Sequence, residues 1–86
     1  MYFNYHAKIK KLITENHLIN IIYTFKYNSI SPAIVFIFDN HKPMPIRSYR
    51  FNEYLCFLKE ISKKNNKYEK LLSNLINNIN NYSNNE

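Results

Sequence analysis

The sequence predicts a small single-domain α+β fold in the order helix, strand, strand, helix, helix, with an antiparallel β-hairpin packed on the C-terminal helices. Three observations predict it. Apolar residues recur at helical spacing in three separate segments, they alternate with a period of two between Leu18 and Asn28, and the period changes at turn-forming residues. At 86 residues the chain makes one domain, with a compact body expected over 1–82 and a frayed tail over 83–86.

Each element follows from its residues. From Asn4 to about Asn16, Tyr5, Ile9, Leu12 and Ile13 fall on one helical face, while Lys8, Lys10 and Lys11 cover much of the rest. From Leu18 to Asn28, Ile19, Ile21, Tyr23, Phe25 and Tyr27 line one face of a half-buried strand. Asn28 to Pro32 supplies turn formers, and Ala33 to Phe38 is then apolar on both faces, the pattern of a strand covered from both sides. Asp39 to Ile46 reads as a loop stiffened by Pro43 and Pro45. Ser48 is the expected N-cap of a second helix carrying Phe51, Tyr54, Leu55, Leu58 and Ile61 to about Lys64. Tyr68, Leu71, Leu72, Leu75, Ile76 and Ile79 mark a third helix that ends near Asn80.

A two-stranded hairpin cannot hide a strand that is apolar on both faces, so a second copy of the chain is the expected cover and a homodimer the expected assembly. The longest apolar run, Ala33 to Phe38, is far short of the roughly 20 residues that cross a bilayer, so no membrane partner is expected. The N-terminus lacks the pattern of a signal peptide, and the single cysteine, Cys56, fits a reducing compartment; a cytoplasmic location is expected.

A formal charge of +6 and a pI near 9.5 point to an acidic or nucleic-acid partner, but lysine and asparagine enrichment is also what an AT-rich genome produces. The asparagines between Asn65 and Asn85 read as that same bias. With no glycine, the phosphate-cradling loops of P-loop and dinucleotide-binding proteins are excluded.

The segment His41 to Arg50 stands apart because it holds both arginines, Arg47 and Arg50, with Lys42, Tyr49 and two prolines. Arginine offers a planar fork of donors that suits phosphate or carboxylate and stacks on rings. His41, Lys42, Arg47, Tyr49 and Arg50 are therefore the expected partner-binding residues. His6, His17 and His41 lack zinc spacing, so no metal or other cofactor is expected, and Cys56 reads as a small buried hydrophobe. Asp39, at the end of the apolar strand, reads as a turn residue.

The same five basic and aromatic residues are ingredients of a small metal-independent ribonuclease, but no motif carries that chemistry, and an enzyme is not expected. The strand, helix, helix order of Ala33 to Asn80 is similar to that of ribbon-helix-helix DNA-binding proteins; a reading ribbon needs polar side chains where Ile34, Phe36 and Phe38 stand, so the likeness implies no DNA reading. The expected function is non-enzymatic: a small inhibitor or accessory factor of a phage or other mobile element that occludes a protein or nucleoprotein partner through the basic Arg/Tyr patch. Direct binding of nucleic acid is the alternative.

Overall fold

Ala33–Phe38 contains no polar side chain, and a strand of that kind belongs in the middle of a sheet. The structure, a computed structural model that describes residues 2–84 and the side chains of residues 4–82, places it there. The elements are α1 (Tyr2–Thr14), β1 (Leu18–Thr24), β2 (Ala33–Phe38), β3 (Met44–Arg47), a 3-10 turn (Ser48–Arg50), α2 (Phe51–Ser62) and α3 (Asn66–Asn84). The strands form an antiparallel sheet in the order β1-β2-β3. The expected helix–hairpin–helix–helix order holds, and the sheet gains one strand.

That third strand lies in the segment expected to be a loop. Prolines exclude a central strand but not an edge strand, whose outer side needs no donors, and Pro45 pairs with Val35 while Met44 and Ile46 face Phe36 and Ile34. It also supplies lateral cover that a hairpin lacks. Ile22 and Pro45 flank Val35 on the outer face, and Val35 is only 3% exposed.

All three helices pack on the other face. Ile9, Leu12 and Ile13 of α1, Tyr54 and Leu58 of α2, and Tyr68, Leu72 and Leu75 of α3 form one core with Leu18, Ile21, Ile34, Phe36, Phe38, Met44 and Ile46 of the sheet. Leu55, expected in the centre, packs only partly buried at its margin.

Strand β1 departs from strict alternation. Leu18 faces Phe38 but Asn20 faces Ile37, so Ile19 is the extra residue of a bulge and lies 54% exposed instead of on the core face. The strand ends at Thr24, leaving Phe25 half-buried and Tyr27 exposed beyond it.

Asparagine does the work that glycine does elsewhere. Asn16 and Asn40 have φ of 68° and 58°. Asn16 closes α1: its N–H donates to Ile13 and that of His17 donates to Leu12, the paired bonds of a Schellman end. Asn65 Oδ1 accepts from the Tyr68 N–H at 3.2 Å and so caps α3.

Three local expectations are corrected. Ser48 does not cap α2; it opens the 3-10 turn, Arg50 occupies the cap position without a side-chain bond, and the Ser48 hydroxyl lies 2.9 Å from that of Ser31. Cys56 is exposed, because it falls on the outer side of α2 between Leu55 and Phe57, which only partly pack on the core. Of the expected tail, Ser83 and Asn84 belong to α3, and residues 85–86 lie outside the described residues. Among the described residues no helix is long and apolar enough to cross a membrane.

Candidate functional site

The five expected binding residues divide between the two ends of β3. His41 and Lys42 sit in the β2–β3 turn, where Met44 meets Phe36, whereas Arg47 meets Ala33 at the opposite end and leads into Tyr49 and Arg50. His41 is exposed and its Nδ1–H donates to the Asp39 carbonyl at 2.6 Å. Asp39 acts as a turn residue, with its carboxylate 3.3 Å from His17 Nδ1. Lys42 is exposed at the same end.

Arg47, Tyr49 and Arg50 come together with residues from far away in sequence. Tyr5 and His6 on α1, Pro45, Ile46 and Arg47 on β3, and Tyr49 and Arg50 of the 3-10 turn line a cleft of about 450 Å³. The Tyr5 hydroxyl donates to the Pro45 carbonyl at 2.8 Å, tying α1 to the edge strand and closing the cleft floor. Burial, and then the neighbouring Tyr27 hydroxyl, push the Tyr5 phenol above its ordinary value.

Behind the cleft lies a charged relay. Arg50 Nη2 contacts both oxygens of Glu53, at 3.0 and 3.2 Å, and Lys10 Nζ lies 2.5 Å from Glu53 Oε2. These bonds, with that of Lys10 first, hold the Glu53 carboxyl below its usual value. Glu53 thus fixes Arg50 without neutralising the corner, since Lys10 shares the same carboxylate. Arg50 Nε is buried with no acceptor among the described residues. Arg47 is exposed and joins none of the ion pairs among them.

His6 reaches from α1 to α2. Its Nδ1 lies 2.6 Å from the hydroxyl of Tyr54, a fully buried residue whose hydroxyl has this one hydrogen-bond partner among the described residues. When the hydroxyl donates to Nδ1, the neutral imidazole carries its proton on Nε2; when His6 is protonated, Nδ1–H donates and the hydroxyl accepts. Burial, followed by the positive charge of Arg50, holds His6 below its ordinary value, and burial pushes the Tyr54 phenol strongly upward.

Exposed apolar residues lie near the 3-10 turn. The Ser31–Ser48 contact draws the β1–β2 turn against the 3-10 turn, and the residues next to those two serines, Ile30 and Tyr49, are 90% and 82% exposed. Ile30, Tyr5 and His6 escaped the sequence reading. The signal for Ile30 was a β-branched apolar residue inside Asn28-Ser29-Ile30-Ser31-Pro32, where turn chemistry has no use for one; His6 and Tyr5 left no signal, being brought to the site by the packing of α1.

A second groove lies at the other edge of the sheet, lined by Asn20, Ile21, Ile22 and Tyr23 of β1 and Asn74, Asn77 and Asn78 of α3. It contains no charged group. Among the described residues no group of three or more His, Cys, Asp or Glu side chains could hold a metal ion. No protein-family model, curated protein or solved structure matches the chain.

Proposed function

We propose that the chain is a small non-enzymatic binding protein that occludes a protein or nucleoprotein partner through the corner formed by Ile30, Arg47, Tyr49 and Arg50. One observation carries the reading: Tyr49, 82% exposed, lines one cleft with Arg47 and Arg50, and the Ser31–Ser48 contact ties to the same turn the segment that holds Ile30, 90% exposed. Exposed aromatic and arginine side chains on a restrained backbone are the usual core of an interface, because little entropy is lost in fixing them. The apolar content favours a protein surface over bare phosphate backbone. The reading is of a cytoplasmic inhibitor or accessory factor, of the sort a phage or other mobile element carries.

A photo-crosslinking amino acid at position 49, in the chain expressed in its own host cell, tests this. A discrete protein adduct is expected that disappears with Arg47→Ala and is absent when the crosslinker stands at position 82 on α3. Equal labelling from both positions refutes the corner. Direct nucleic-acid binding, the second reading, predicts a steep loss of oligonucleotide affinity with salt, since phosphate contacts release counterions.

A homodimer remains part of the proposal, now through the outer sheet face of Ile22, Val35 and Ile37 and not by sheet extension, because both sheet edges are closed. Light scattering on a sizing column decides it, and a monomer at high concentration removes it.

A further inference from the structure

We infer that the cleft behind the corner is a site for a single phosphoryl group carried on a side chain of the partner protein, held by Arg47, Arg50 and His6. The inference rests on the binding reading above and names what the partner must present. The donors are complementary. Arg47 joins no ion pair among the described residues, Arg50 is aimed by Glu53 through Nη2, and His6 lines the same cleft with its Nδ1 engaged by the Tyr54 hydroxyl. Three donor groups on separate elements match the three oxygens of a phosphate monoester better than the two of a carboxylate. The remaining walls, Tyr5, Pro45 and Ile46, are largely apolar and suit the carbon stem that carries the phosphate. A nucleic-acid phosphodiester has no such stem and bears one charge.

Occupancy is coupled to pH through His6. The groups facing it are Tyr5 and Lys10 of α1, Arg50 of the turn, and Glu53 and Tyr54 of α2; burial first, then Arg50 and Lys10 against the opposing Glu53, disfavour its protonation in the empty site. A bound dianion reverses that balance. By linkage, phosphate raises the His6 pKa and protonation of His6 tightens phosphate binding by the same factor. Protonation of His6 therefore strengthens binding as the pH falls below 6.5, the ordinary value that His6 lies beneath in the empty site, and the second ionisation of the phosphate, at about pH 6, opposes it.

The test is NMR titration of the full chain, following the His6 ring resonance, with phenyl phosphate, benzoate, inorganic phosphate and an oligo-thymidine as probes. Phenyl phosphate should move the resonance and raise its pKa, and should bind more tightly than either inorganic phosphate or benzoate. Arg47→Ala, which alters an exposed side chain and leaves the fold intact, should weaken it about tenfold, the usual loss for one hydrogen bond to a charged group. His6→Gln should keep part of the affinity and, between about pH 5 and 7, retain only the pH dependence that comes from the second ionisation of the phosphate itself. The inference falls if phenyl phosphate at millimolar concentration leaves His6 unmoved, or if its effect survives Arg47→Ala combined with Arg50→Ala. Benzoate binding as tightly as phenyl phosphate overturns it in favour of a carboxylate, and oligo-thymidine moving His6 where phenyl phosphate does not overturns it in favour of nucleic acid. A silent titration with an intact crosslink from position 49 removes this inference alone; a clear titration with no crosslink removes the occlusion reading and keeps the anion site.

Discussion

The two edges of the sheet are closed in opposite ways, and the contrast separates architecture from recognition. At the β1 edge the structure uses its own side chains. The Tyr68 hydroxyl donates to Ile13 at 2.7 Å and accepts from the Leu18 N–H at 3.4 Å, and Asn20 Oδ1 takes the Ile21 N–H at 2.8 Å. At the β3 edge Pro43 and Pro45 remove donors, and only the Pro45 carbonyl is engaged, by Tyr5. The first edge is consumed in holding the fold. The second leaves Arg47 and Tyr49 to solvent beside a cleft, and its charged neighbours are aimed without being neutralised.

Mutations should therefore divide by edge. The largest effect is expected beneath β1, where Leu72→Ala on α3 should cost about 2–5 kcal/mol by opening the core, as should Leu58→Ala on α2. Thermal or urea unfolding measures it, and unchanged midpoints break the core assignment. Next comes Tyr68→Phe, which leaves the Leu18 N–H without its partner and takes one of two donors from the Ile13 carbonyl, and should cost about 1–3 kcal/mol without touching the crosslink from position 49. Arg47→Ala with Arg50→Ala should do the reverse, abolishing that crosslink while changing stability far less than either core substitution.

A smaller, pH-dependent effect sharpens the comparison. His6 is held below 6.5 in the folded chain, so the unfolded state takes up its proton first, and the stability His6 contributes is present above pH 6.5 and lost as the pH falls. Glu53, held below 4.5, adds a second loss of the same sign under more acidic conditions. Urea midpoints at pH 7 and 5.5 should diverge in the natural chain and converge in His6→Gln. Smallest of all, Asn74→Ala, Asn77→Ala and Asn78→Ala in the uncharged groove should raise stability by a few tenths of a kcal/mol each through helix propensity and leave binding alone. A loss of binding there would show that the β1 side is the functional one.

Periodicity made the helices and the first two strands legible, because Leu58, Leu72 and Leu75 repeat at helical spacing and Ala33–Phe38 admits no polar residue. It missed β3, because proline argues against strands in general and only the neighbour relation in the folded sheet shows that an edge position tolerates it. It misplaced Ile19, because a bulge shifts the alternation by one residue and no composition marks it. Asn65 was read as compositional drift and is a helix cap, a case where the residue bias and the capping preference coincide. At the site, the arginines were visible by their rarity. Their companions were not: Tyr5 and His6 lie some forty residues away, and the split of His41 and Lys42 from Arg47 follows from β3 running its length between them.

Pro45 of β3 and Pro43 just before it also bear on how this chain behaves in a crowd. A short, aromatic-rich sheet invites its neighbours to continue it, strand upon strand, and such growth needs alternating donors and acceptors along the advancing edge. Pro43 and Pro45 have no amide hydrogen to offer, and Tyr5 already occupies the carbonyl between the arginine and the turn. Strand addition is thereby disfavoured at the edge that leads into Arg47 and Tyr49.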